Sequence, residues 1–439
     1  MKENNMKKLL SVLTVFSFLI SIVTSTVSCM PKQPNIIKTS PLKIGLDIDK
    51  SQAIDTSLNP NDHFGFTNYF IVGDSLSDVN GLTTYVKDKF VVNTSLDQYV
   101  DFNLTLGGAY GFEEDGVYNS AFSNGKTTGY LLSEKLNFGA MKPSNKYSKL
   151  SNPKEGYGKN YSVGGATAGK SSELVNGIII NDFSTEEQAR ALVKQQKIGA
   201  NDLVFFEIGG NDMFSLIQSQ DNQNDKFVIE YMNESIKSIR ATLFTLLNNG
   251  IKNILFMGPP IMDIVPRYIN REEKQDIIDL GKEYEIKINK LINEVNNYYS
   301  GNLFYTSLYE GENDFSNIIK GYGETISNQI ENEYNTWSGF SEKNIIEVNG
   351  KKTFNFRDIL KINFKNYIEI IKINNTFKKT KLDVKVIGQP LSENLWGDDL
   401  KKRDKIMTSY FFTDIVHPTK LVHEYVSEIM KEIVLKEFK

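Results

Sequence analysis

Apolar residues in this chain fall into two textures. Short unbroken runs, "NYFIVGD" from Asn68, "DLVFFEIGGND" over 202–212 and "IKNILFMGPP" over 251–260, stop at glycine, proline or an acid. Longer stretches repeat apolar residues every three or four positions, as in "FVIEYMNESIKSIRATLFTLLNNG" ahead of the third run. Consecutive apolar positions suit a strand covered on both faces, and the three-and-four spacing suits an amphipathic helix, here closed by Gly250. Their alternation predicts an α/β domain on a parallel sheet. Functional side chains of such sheets gather at the carboxyl ends of the strands, and two of these runs end in "GDS" and "GGND".

The texture changes between residues 309 and 400. Helical and strand-like pieces flank Asn349-Gly350, a pair that favours a hairpin turn. The expectation is an α+β insertion within a domain covering 61–439. Its aromatic residues, Trp337, Phe340, Phe354, Phe356, Phe364 and Tyr367, suit a small core, or alternatively an apolar groove or lid. After it come a short apolar run, a loop holding Asp414 and His417, and an amphipathic closing helix.

At the other end, Lys7 and Lys8 precede an apolar stretch from Leu9 to Val23, then small and hydroxylic residues lead to Cys29. That is the order of an export signal over 1–28, followed by a polar, proline-bearing tether over 29–60. The end of the signal resembles that of a bacterial lipoprotein, which implies that Cys29 is lipidated and becomes the new N-terminus. Thr26-Val27-Ser28 departs from the usual pattern, which has leucine three places before the cysteine. An uncleaved signal would instead serve as a membrane anchor. Either way the body is expected on the extracellular side of the cell membrane, held there by its N-terminus.

Composition narrows the functions. The 439 residues carry a formal net charge of −4, so no basic excess is available for a phosphate backbone, and nucleic acid is excluded as the main partner. One cysteine rules out an internal disulfide or a multi-thiolate metal site, and three histidines, His63, His417 and His423, leave little for a metal cluster. No metal or cofactor is expected.

Ser75, in "FIVGDSLSDVNG" (70–81), reads by itself as a turn serine. As a nucleophile it would need a base held in the right tautomer by a carboxylate. His417 in "TDIVHPT" fits, with Asp414 three residues before it and Pro418 stiffening the turn. His423 falls inside the closing helix and His63 at the domain's edge, so both are read as structural. Donors for an oxyanion are offered by Gly164 and Gly165 in "NYSVGGATAG" (160–169) and by the side chain of Asn211. A calcium loop built on "DVNG" would need an acid at 76 and a glutamate at 87 and fails on Leu76 and Lys87, and a phosphate loop fails for want of a Gly-Lys-Ser/Thr ending.

Taken in order, "GDSLSD", "NYSVGGATAG", "IGGND" and "DIVHPT" resemble the four blocks of the GDSL or SGNH hydrolase family of serine esterases and lipases. "FSNGKTTGYLLSEKL" (122–136) is similar to a helix start in the branch with secreted lipases and haemolysin-like phospholipases. The resemblance covers about 68–300 and 405–439. It implies a three-layer, flavodoxin-like α/β/α sandwich in which Ser75 is nucleophile, His417 base and then acid, and Asp414 its carboxylate. The Ser75 and Gly165 N–H groups and the Asn211 side chain would bind the oxyanion, with Asp74 and Asp78 as loop and cap supports. The implied activity is carboxylic ester hydrolysis through an acyl-enzyme, on lipid or lysophospholipid esters. An acyltransferase, or a ligand-binding surface lipoprotein on an inactive scaffold, are the other readings.

Overall fold

A computed structural model describes residues 40–92, 100–144, 157–169, 183–272, 274–325, 345–353, 380–388, 396–408 and 410–438. In chain order the strands are β1 (Asn68–Val72), β2 (Val100–Gly108), β3 (Phe112–Glu114), β4 (Val117–Asn119), β5 (Asp202–Glu207), β6 (Asn253–Met257), β7 (Leu303–Thr306), β8 (Ile345–Val348), β9 (Lys351–Thr353) and β10 (Thr380–Gly388). The main helices are α1 (Gly81–Val86), α2 (Thr128–Lys135), α3 (Thr185–Gln195), α4 (Gly210–Asp221), α5 (Asp225–Asn248), α6 (Gln275–Tyr298), α7 (Phe315–Thr325), α8 (Leu400–Met407) and α9 (Lys420–Glu437).

The central sheet has the order β1-β5-β6-β7, and every pair in it is parallel. Tyr69, Phe70 and Ile71 in β1 and Leu203 to Phe206 in β5 are inaccessible to solvent, as the unbroken apolar runs require. Each such large side chain contributes about 2 kcal/mol by leaving water. Helices α3 to α6 pack on one another, and α2 and α7 both pack on α9, so two helical layers flank the sheet. This is the expected α/β sandwich. No described helix is long and apolar enough to cross a membrane.

A second sheet runs β2-β10-β8-β9. Asn349 (φ 47°) and Gly350 (φ 79°) form the β8–β9 hairpin turn, as their sequence suggests. The insertion is not confined to 309–400, however. Its β10 pairs in parallel with β2 along all nine residues, Val100 against Thr380 through Gly108 against Gly388. The strand β2 alternates, burying Val100, Phe102, Leu104 and Leu106, so one face is available to a core that only the later segment completes. At its start the expected insertion belongs to the main domain: Phe315 and Tyr322 of α7 pack edge-on against Phe411. Trp337, Phe340, Phe354, Phe356, Phe364 and Tyr367 lie outside the described residues, as does Cys29 with the whole signal.

The second half of the tether also differs from expectation. Asn248 at the end of α5 donates to the carbonyls of Pro41 and Ile44, both at 2.8 Å, and Ile54 bridges Gln196. Residues 40–60 therefore lie on the domain, because backbone carbonyls there meet side-chain amides that would otherwise be unsatisfied.

Arg403 of α8 locks the two parts together. Its side chain is fully buried and donates to the carbonyls of Tyr110 (2.9 Å), Asn124 (3.1 Å) and Gly108 (3.4 Å), with Asp404 balancing its charge at 2.9 Å. Replacing Arg403 by Met removes these donors from the interior and leaves the Tyr110 carbonyl to the Tyr118 hydroxyl. The expected cost is about 3 kcal/mol, read as a lower urea midpoint with an unchanged m-value.

Candidate active site

The strand β1 ends one residue before Gly73, and here only glycine fits: a Cβ would lie 2.8 Å from the Glu207 carbonyl at the end of β5. Gln188 of α3 pins the same peptide, accepting from Gly73 N–H and donating to its carbonyl, both at 2.8 Å. Ser75 follows at once, at the carboxyl edge of the sheet. From the far end of the chain, the 413–419 loop reaches the same edge. Asp414 Oδ1 accepts from the backbone N–H of Val416 and of His417, each at 2.7 Å, and Thr413 N–H donates to the His417 carbonyl at 2.7 Å. The aspartate thus caps its own turn, and the three-residue spacing brings the His417 ring back over the carboxylate.

The three side chains form one hydrogen-bonded row. Ser75 Oγ lies 2.8 Å from His417 Nε2, and His417 Nδ1 lies 2.7 Å from Asp414 Oδ2. A carboxylate only accepts, so the proton sits on Nδ1 and Nε2 is left to accept from the serine. Burial alone would raise the pKa of Asp414; the charge of His417, the hydrogen bond from its ring and the hydroxyl of Tyr110 outweigh burial and hold the carboxyl below its usual range. Phe122 stacks on the imidazole, 5.2 Å between centroids at 27°, which shields it from water on that side.

Two carboxylates of the loop that carries Ser75 serve as supports. Asp78 accepts from the N–H groups of Gly81 (2.5 Å), Leu82 (2.8 Å) and Gly164 (2.6 Å), so it caps α1 and ties the glycine block to the loop. Its burial pushes it up to about 7 against those three donors. Gly164 has therefore given its N–H away, and a Cβ there would overlap Phe122. Gly165 (φ 81°) instead borders open space, and its N–H has no acceptor among the described residues. Asp74 meets Glu207 side by side beneath the serine. Burial raises both, and the charge of Asp74 drives Glu207 well above its usual range, so Glu207 keeps the proton of the pair.

Asn211 begins α4 beside these groups. Its amide donates to the Ala166 carbonyl at 2.8 Å and, at a longer 3.3 Å, to Asp74 Oδ2. Next to it, Asp212 accepts from the N–H groups of Ala168 and Gly169, both at 2.9 Å, which fastens the asparagine block to the glycine block. Sequence reasoning missed Tyr110, Gln188, Glu207 and Asp212. Only the "GGND" motif, which contains Asp212, carried a local signal for any of them.

The other histidines stand apart from this row. His423 is buried in α9, where its Nδ1 faces the Thr128 N–H at 3.2 Å and hydroxyl at 2.9 Å. His63 stacks on Phe138 at 4.4 Å. Among the described residues, no three His, Cys, Asp or Glu side chains come together as metal ligands.

A family model described as GDSL-like Lipase/Acylhydrolase matches residues 69–430. The chain belongs to this family, whose members are esterases, lipases and acylhydrolases, and is accordingly a hydrolase acting on esters. Among curated proteins no match to the sequence was found.

Buried His423 makes the fold acid-sensitive. Desolvation, and then the charge of His417, lower it to about 3, whereas the unfolded chain takes up that proton near its ordinary value of about 6.5. Its contribution is complete above that value and falls as the pH drops towards 3, by about 1.4 kcal/mol per pH unit. Unfolding free energies measured across this range should show a shallower slope for His423→Gln, by about one proton.

Proposed function

We propose that the protein hydrolyses carboxylic esters through an acyl-enzyme on Ser75. The observation that carries this reading is the continuous row from Ser75 Oγ through His417, at 2.8 Å, to Asp414, at 2.7 Å. In it, His417 Nε2 takes the serine proton as Oγ attacks the ester carbonyl and returns it to the departing alcohol; a water then repeats the sequence on the acyl group. Asp414 keeps the ring in the needed tautomer and balances its transient positive charge. The N–H groups of Ser75 and Gly165 and the amide of Asn211 receive the oxyanion, Asn211 exchanging its long contact with Asp74 for the substrate oxygen. No metal or cofactor takes part in these steps.

We further propose that Cys29 carries a lipid anchor and that the substrate is a lipid or lysophospholipid ester. Residues 41–44 dock at the end of α5, which is the edge where β6 begins, whereas Ser75 and Asn211 follow the ends of β1 and β5. The anchor would thus leave from the edge opposite the catalytic one. Eleven residues from Cys29 to Ser40 span at most about 40 Å, and the path round a domain of about 400 residues is on the order of 80 Å. A protein held this way presents its site away from its own bilayer, towards soluble esters or a second membrane.

The chemistry is checked with residues 30–439 and p-nitrophenyl esters of several chain lengths. Ser75→Ala should lose at least about a thousandfold in kcat; equal turnover by the variant would overturn the serine mechanism. Transfer of the acyl group to an added alcohol in preference to water would make the protein an acyltransferase instead. Orientation is checked by coupling residues 29–439 through the single thiol of Cys29 to vesicles doped with maleimide lipid. A fluorogenic lysophospholipid should be cleaved faster when supplied in separate vesicles than in the anchoring ones, and the reverse ratio would contradict the proposed orientation.

A further inference from the structure

Among the described residues, one side chain outside the serine and histidine bonds to the Asp414 carboxylate. The hydroxyl of Tyr110 donates to Asp414 Oδ2 at 2.6 Å, on the oxygen that also faces His417 Nδ1. Its ring is buried and stands edge-on to the imidazole, 6.3 Å between centroids at 86°. With two backbone N–H groups on Oδ1, the aspartate then has four donors around one carboxylate. Of these four donors only the hydroxyl comes from outside the 414–417 turn, so it ties the carboxylate itself to the rest of the domain, while Arg267 N–H holds the Ile415 carbonyl at 3.0 Å.

Tyr110 is held by the accessory sheet. It follows β2, and its carbonyl accepts from Arg403 Nη1 at 2.9 Å and from the Tyr118 hydroxyl at 2.8 Å. Across the strand pair, Ala109 N–H donates to the Gly388 carbonyl at 3.0 Å. The backbone of Gly388, the last residue of β10, lies against the Tyr110 ring so closely that a Cβ there would overlap Cε2.

We infer that Tyr110 is a positioning residue of the hydrolytic site, which orients Asp414 and through it His417, and that the end of β10 holds Tyr110 in place. The accessory sheet is thereby part of the machinery that sets the base. The inference rests on the proposed roles of Ser75, His417 and Asp414. A phenol that donates to Asp414 takes up part of its charge; without it more of that charge faces the imidazolium, which then keeps its proton to a higher pH. The other ionisable groups near the ring, Asp74 behind the serine, His423 in α9 and Arg403 beyond the Tyr110 carbonyl, are the same in the variants below.

Tyr110→Phe keeps the ring and removes the donor. Its kcat should fall about tenfold, the effect of one hydrogen bond to a charged group, with KM within twofold and the acid limb of the kcat/KM profile moved to higher pH. Gly388→Ala should move the limb the same way by displacing the ring, without altering any atom of the row. A Tyr110→Phe variant with wild-type kcat and an unmoved limb overturns the proposal, as does a lowered kcat with an unmoved limb, which a structural role alone would produce. Labelling by a fluorophosphonate separates the two levels. A wild type that does not label at Ser75 removes the nucleophile reading, whereas a wild type and a Tyr110→Phe variant that label at equal rates remove the positioning role only.

Discussion

The buried carboxylate of Asp414 is the constraint around which the site is arranged. A charge taken out of water must be matched by donors, or it protonates or rearranges. Here the donors are two N–H groups of its own turn, the imidazole of His417 and the hydroxyl of Tyr110. Each satisfies the charge and in doing so fixes a different part: the turn, the ring and the link to the second sheet. The histidine's readiness to accept from Ser75 follows from the way the aspartate is solvated by protein.

The same device recurs in the loops around the serine. Asp78 joins the Ser75 loop to the glycine block, Asp212 joins the glycine block to α4, and the Asp74–Glu207 pair holds one proton, on Glu207, between the ends of β1 and β5. Loops at the edge of a parallel sheet have few ladder partners. Buried acids that accept backbone N–H groups supply the missing rigidity, and preorganised donors are what an oxyanion site needs. The cost is a set of carboxyls displaced from their ordinary acidity, which concentrates around Ser75.

Much of this was legible in the sequence, for identifiable reasons. The strands β1, β5 and β6 were visible because burial on both faces demands unbroken apolar runs, and the Asp414 turn because an aspartate that caps its own loop leaves a short fixed spacing. The place of β2 was not, since its alternating residues mark a strand but its parallel partner lies almost 300 residues away, and pairing at that distance leaves no local trace. Tyr110 and Glu207 were invisible for the same reason. A lone tyrosine after a glycine pair, or a glutamate closing an apolar run, acquires a role only through a neighbour from another segment. The tether was misjudged where the side chain of Asn248 in α5, together with Ile44 packed on the core, holds residues 41–44.

The central claim is that Ser75 carries the acyl group. It is tested most directly by mixing the protein with an excess of p-nitrophenyl ester, quenching in acid during the first turnovers and mapping the trapped adduct by peptide mass spectrometry. The account predicts one acyl mass on the peptide containing Ser75, formed with the first equivalent of p-nitrophenol and much slower to form in His417→Ala. An acyl group on any other residue, or steady turnover with Ser75 unmodified and His417→Ala as fast as wild type, would contradict it.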